Sequence, residues 1–164
     1  MLQRTAHASA TEHAPIHPIC VAVTDHPGLV RFSIARRCRS ANFLEGYGTT
    51  QTGGVVATRL VPALSLDSML DLLPSPNVIK IDVEGAEERV LQGATKLLTS
   101  LRPLLFVEVA SEHADVVGRF LRTMSYGLFD GSTLAPVLGG CGTPYDTVAV
   151  PSERRMPDSW RGNR

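Results

Sequence analysis

The chain has 164 residues, 43% hydrophobic, 20% charged and 5% aromatic, a balance that excludes a disordered or fibrous protein and suits one compact domain. Lys plus Arg and Asp plus Glu both number 16, so the formal net charge is +0 and no overall basic field draws the chain to nucleic acid or anionic lipid. The apolar run Leu104 to Ala110, interrupted by Glu108, falls far short of the ~20 residues of a spanning helix, so no membrane partner is expected.

Residues 1–17 are polar, proline-bearing and aperiodic, which predicts a disordered leader. They hold no apolar run of the kind that marks a signal peptide, so a cytoplasmic location is expected. Ile19 to Val23 is an apolar run closed by Thr24-Asp25-His26-Pro27-Gly28, and Leu29 to Ile34 alternates around Arg31 and Ser33; together they predict a hairpin. Arg36 to Gly54, rich in Arg, Ser, Asn, Thr and Gly, reads as a long loop that serves as a lid. Val55 to Val61 resumes strand character, and Ser65 or Asp67 caps a short helix that Pro74 stops.

Asn77 to Asp82 has the composition of a strand buried on both faces, Glu84-Gly85 supplies a turn, and Ala86 to Ser100 places Val90, Leu91, Ala94, Leu97 and Leu98 on one helical face. Pro103 to Val109 reads as a second buried strand and Glu112 to Met124 as a helix. Tyr126 to Asp130 and Thr147 to Val150 read as closing strands across a Gly- and Pro-rich loop, and residues 152–164 as a polar tail. This alternation predicts an α/β fold with a parallel sheet.

The ionisable groups in the 78–87 segment require a reason. Period-two alternation sends Ile79 and Ile81 to one face and Lys80 and Asp82 to the other, and an unpaired charge in a buried strand costs several kcal/mol. Lys80 therefore needs a partner. Glu108, sharing parity with Phe106, is the candidate, near the strand ends where ligands of open α/β sheets sit. One reading makes Lys80, Asp82 and Glu108 a structural ion network, with Glu84, Glu87 and Glu88 complementing the positive end of the next helix. The other makes the carboxylates a general base for a hydroxyl, or ligands of a hard cation.

Other patterns carry less. His7, His13 and His17 lack the helix that would align them, because Pro15 and Pro18 intervene, so no metal site is expected there. Cys20, Cys38 and Cys141 are odd in number and far apart, and read as reduced thiols. Gly139-Gly140-Cys141-Gly142 is followed by Pro144 and no helical pattern, which makes it a connector and not a phosphate loop. Arg36, Arg37 and Arg39 read as a solvated face.

The stretch NVIKIDVEGAEERVLQGATKLLTSLRPLLFVEV, Asn77 to Val109, resembles the signature of the FkbM family of S-adenosylmethionine-dependent methyltransferases. AVTDHPG, TTQTGG, VPALSLDSML, YGLFD and TVAVP resemble flanking pieces, so the resemblance spans residues 18–151. It implies a Rossmann-like class I sheet. The glycine-rich loop after that sheet's first strand, and the acidic residue after its second, have no counterpart before Ile19. The expected fold is thus an incomplete sheet without its first two strands, and the expected domain its C-terminal part.

The same resemblance implies S-adenosylmethionine as cofactor and a hydroxyl of a sugar or natural product, on a small molecule or glycan, as methyl acceptor. It places Asp82 and Glu84, with Lys80 and Glu108, on the acceptor side as catalytic candidates, and Ala22, Val23 and Asp25 on the cofactor side. Two alternatives stand beside it: an inactive binding or assembly module that self-associates through an exposed sheet edge, and a carboxylate-based metal hydrolase.

Overall fold

The computed structural model describes residues 15–36, 42–47, 53–140 and 142–156. Eight strands form two four-stranded mixed sheets with few, short helices. The first sheet contains β1 (Ala22–Val23), β2 (Gly28–Ala35), β3 (Phe43–Leu44) and β4 (Val55–Leu64), in the order β1-β4-β2-β3.

The expected hairpin between β1 and β2 does not form. β4 lies between them, pairing parallel with β1 (Ala22 opposite Ala63) and antiparallel with β2 (Gly28 opposite Ala63). The turn residues are held instead by β4 and from outside the sheet: the Thr24 N–H donates to the Leu64 carbonyl at the end of β4, and the Asp25 carboxylate is taken by Arg89. β4, ten residues long, has an edge for each neighbour. The long loop also contains structure, since Phe43 and Leu44 pair with Ser33 and Phe32, and Leu44 is buried. The expected lid is therefore in part a strand. Residues 37–41 and 48–52 of that loop, among them Arg37, Cys38 and Arg39, lie outside the described residues.

The helix α1 (Leu66–Met69) starts as expected at Ser65, whose hydroxyl accepts the Ser68 N–H while the Ser68 hydroxyl accepts the Ser65 N–H. This reciprocal box satisfies two of the free donors at a helix start.

The second sheet contains β5 (Val78–Ile81), β6 (Leu104–Glu108), β7 (Tyr126–Asp130) and β8 (Asp146–Pro151), in the order β5-β6-β8-β7. It is mixed, not parallel: β5 and β6 run parallel, whereas β8 runs antiparallel to both β6 and β7. Among the described residues the link from β7 to β8 has no helix to carry the chain back across the sheet, and the strand returns antiparallel. β5 is an edge strand with β6 as its one partner among the described residues. Val78 is accordingly 52% exposed, which corrects the expectation of a strand buried on both faces.

The expected single helix over 86–100 is two: α2 (Glu87–Gln92) and α3 (Thr95–Ser100). The break at Gly93-Ala94 has a tertiary cause. Gly93 lies against the β1–β2 turn so closely that a Cβ there would sit 2.3 Å from the Thr24 carbonyl oxygen. From α1, the Asp67 carboxylate accepts the N–H groups of Lys96 and Leu97, at 2.8 Å each. It thereby supplies the cap that the second segment lacks in its own sequence.

A 3₁₀ turn (Ser111–His113) leads into α4 (Ala114–Thr123). One face of the second sheet (Ile81, Leu105, Val107, Leu128, Ala149) forms the main core with Val90, Leu91, Leu97, Leu98, Val117 and Leu121 of the helices. The helical residues are those expected from the periodicity. The opposite face carries a smaller cluster of Val148, Val150 and Met156 with Leu104, Phe106, Phe129 and Leu134. The first residues of the tail are tied down there. Glu153 accepts both Arg102 Nε and Nη2 at 2.8 Å, and Met156 is buried.

Candidate functional site

β5 and β6 run parallel, so both end on the same edge of the sheet. Lys80 stands opposite Phe106, which puts Lys80, Asp82 and Glu108 on one face by strand parity. The expected convergence is present. Lys80 Nζ donates to Asp82 Oδ2 at 2.8 Å and to Glu108 Oε1 at 2.7 Å. The setting differs from expectation, because the Lys80 side chain is 59% exposed. An edge strand leaves this face open to water, so the lysine neutralises two carboxylates at the rim and is not a buried charge. Hydrogen bonds and attraction from Asp82 and Glu108 outweigh its partial desolvation, and raise its pKa above the usual lysine range.

Beyond β5 the chain makes a tight left-handed step. Glu84 has φ 50° and Gly85 φ 100°. Glycine adopts such a conformation freely, whereas glutamate does so at a cost of about 1 kcal/mol or more. The step turns the chain into α2 and brings the Glu84 carboxyl to a cavity of about 100 Å³. The cavity is lined by Asp82, Glu84, Gly85, Glu87, Glu108, Ala110 and Tyr145. Burial pushes the Glu84 pKa up, and the charges of Asp82, Glu108 and Glu87 push it further. The Tyr145 hydroxyl donates to Glu108 Oε2 at 3.0 Å, and this carboxylate, together with burial, raises the phenol's own pKa.

Glu87 is the residue that sequence reasoning passes over. In the first turn of a helix a glutamate suits the helix dipole and suggests an exposed position. Here it is 2% exposed. Its Oε1 accepts the Gly85 N–H at 2.8 Å, while its Oε2 is buried with no hydrogen-bond partner. The spacing Glu84-x-x-Glu87 is the one local hint of a second inward carboxylate. Tyr145 lies in a loop without pattern and gives no such hint.

The residues expected on the cofactor side stand apart from this cavity. Ala22 and Val23 are half-buried in the two-residue β1. Asp25 accepts Thr24 Oγ1 at 2.7 Å and Arg89 Nε at 2.7 Å, and pairs with His26 at 3.0 Å. Burial works to raise its pKa, but the bonds from Thr24, Arg89 and His26 prevail and hold it well below the usual carboxylate range. Arg89 in turn lies over the Tyr47 ring, 5.9 Å from its centre. Among the described residues no three His, Cys, Asp or Glu side chains stand close enough to hold a metal ion. Cys20 is a free, exposed thiol, while His7, His13 and Cys141 lie outside the described residues. Among the described residues no helix is long and apolar enough to cross a membrane.

The fold resembles a solved one. The crystal structure of methyltransferase FkbM from Methylobacillus flagellatus superposes with a TM-score of 0.52 at 13% sequence identity, covering 91% of this chain and 32% of that chain. The present chain thus spans about a third of the length of that protein. No curated protein matches the chain. The sequence model of the methyltransferase FkbM domain matches residues 4–128, which contain the β5 to β6 unit and its carboxylates, and the chain belongs to the FkbM methyltransferase family.

Proposed function

We propose that the chain forms the acceptor side of a cytoplasmic, S-adenosylmethionine-dependent methyltransferase that methylates a hydroxyl oxygen of a sugar or natural product. The second sheet corresponds in this reading to one half of a Rossmann-like class I sheet. Among the described residues the outer edge of β5 is unpaired and open to a further strand. The observation that carries the proposal is the carboxylate cluster at the common end of β5 and β6, with the Glu84 pKa raised by its neighbours. A carboxylate of raised pKa suits the removal of a proton from a hydroxyl as the oxygen is methylated. Glu84 is the base in this scheme. Asp82 and Glu108, each bound to Lys80, maintain the local charge and orient the acceptor.

The described residues do not cradle the whole cofactor. Asp25, the expected cofactor-side acid, is already occupied by Thr24, Arg89 and His26. The acidic cavity, at about 100 Å³, is well below the roughly 300–1,000 Å³ usual for a drug-sized ligand. Weak cofactor binding is therefore expected of this chain, and its own contribution is the handling of the acceptor. Formation of S-adenosylhomocysteine from S-adenosylmethionine, with glucose or glucosamine supplied as acceptor, tests the assignment. Glu84→Gln should lower the rate about 10²-fold, the usual loss for an acid–base group, with the fold intact by circular dichroism.

The occupied Asp25 and the free β5 edge also favour a second reading, an inactive module that pairs with another chain through that edge. Sedimentation velocity distinguishes it: a dimer dispersed by Val78→Pro, in a chain without turnover, supports the module.

A further inference from the structure

We propose that the acidic cavity receives a primary ammonium group carried by the methyl acceptor, which makes the acceptor an amino alcohol of the amino-sugar class. This deepens the methyl-transfer reading and rests on it. Four carboxyl groups line the cavity, from Asp82, Glu84, Glu87 and Glu108. Among the described residues the one cation in contact with them, Lys80, is spent at the rim on Asp82 and Glu108. Inside, Glu87 Oε2 is buried and unpartnered. A desolvated acceptor of this kind is destabilising until a donor reaches it.

An ammonium has the right form for this gap. It is compact and offers three donors, and its hydrogen bonds to carboxylates are of the short, charge-assisted kind that Lys80 already displays at 2.7 and 2.8 Å. A metal ion fits less well, because among the described residues no three of the carboxyl groups stand close enough to share one. With Glu87 Oε2 and Glu108 Oε2, which also accepts the Tyr145 hydroxyl, holding the ammonium, Glu84 is left to face the hydroxyl on the adjacent carbon. The cavity admits one such corner of a sugar and no more. A primary ammonium also occurs at the amino-acid end of S-adenosylmethionine, so the test must separate the two sources.

The experiment is a titration of the isotope-labelled chain, followed by its amide NMR signals, with glucosamine, glucose, N-acetylglucosamine, methionine and magnesium chloride as separate probes. Glucosamine should shift the Gly85 and Ala110 amides saturably, and the shift should fade when the pH is raised until its amine is neutral. Glucose and N-acetylglucosamine should leave those signals in place. Glu87→Gln, which keeps an oxygen for the Gly85 N–H, should weaken glucosamine binding about tenfold, as loss of one charge-assisted hydrogen bond implies. Glu108→Gln, at the other group that holds the ammonium, provides a second variant with the same loss expected should the first not fold.

Equal response to glucose, or no response to glucosamine, overturns the proposal. So does saturation by methionine without glucosamine, which would assign the cavity to the cofactor, and so does tighter binding of magnesium. Calorimetry with S-adenosylmethionine is read separately. Glucosamine binding in a chain that never turns over the cofactor would refute methyl transfer and leave the ammonium site standing.

Discussion

Replacing Glu87 by glutamine should stabilise the protein. The side chain is 2% exposed, with one oxygen satisfied by the Gly85 N–H at 2.8 Å and the other without a partner. Glutamine preserves the first bond. In place of the orphaned oxygen it puts an NH₂ group at the cavity that Asp82, Glu84 and Glu108 also line. Removing an unsatisfied buried acceptor is worth about 1–3 kcal/mol, so the urea midpoint should rise with no change of m value. Glu87→Leu provides the contrast. It removes the acceptor for the Gly85 N–H in a left-handed turn, and should cost about 1–3 kcal/mol through the orphaned donor. A glutamine variant less stable than the parent by more than about 1 kcal/mol, twice the usual surface effect, would show that Oε2 has a partner in solution and would refute the reasoning.

Three further outcomes are expected. Gly93→Ala would place a Cβ 2.3 Å from the Thr24 carbonyl oxygen and 2.9 Å from Asp25 Cα; both obstacles are backbone, so chemical denaturation should show a loss of at least about 1–3 kcal/mol, and a neutral result would mean that the β1–β2 turn does not sit against the α2–α3 break. Lys80→Met should cost under about 1 kcal/mol, as exposed pairs do, and a loss of several kcal/mol in the same assay would mean that the rim is closed to water. Asp130 accepts from Ser132 and Thr133, and these bonds lower its pKa from 3.8 to about 2. A depressed carboxyl contributes its stability above the unfolded pKa and loses it as pH falls through the folded one. The advantage of the parent over Asp130→Ala should therefore vanish between about pH 4 and pH 2, and a gap that persists at pH 2 would place the effect elsewhere.

Local pattern was enough where local pattern sets structure. Val90, Leu91, Ala94, Leu97 and Leu98 repeat at helical spacing and are buried together, the Ser65 cap lies where its sequence puts it, and strand parity is sufficient to join Lys80 to Asp82 and Glu108. What escaped depends on distant partners. Nothing near Ala22 indicates that β4, forty residues away in sequence, comes between β1 and β2. The break at Gly93 is imposed by the Thr24 carbonyl, and the cap on α3 comes from Asp67. The apolar run around Lys80 suggests a buried strand, but such a run does not say whether both edges of the strand are covered. The sequence at Glu87 indicates only a helix-end charge, because first-turn position and burial are independent, and burial follows from the fold of the Glu84-Gly85 step.

The measurement that bears most directly on the central claim is S-adenosylhomocysteine formation by the parent chain and by Glu84→Gln, with glucose or glucosamine as acceptor and the cofactor varied. The account predicts a parent rate that rises with cofactor concentration without saturating, since the described residues do not enclose the cofactor, and that falls about 10²-fold in the variant, as expected for loss of a general base. Equal rates in the two proteins, or a parent rate no greater than that of buffer, would contradict it.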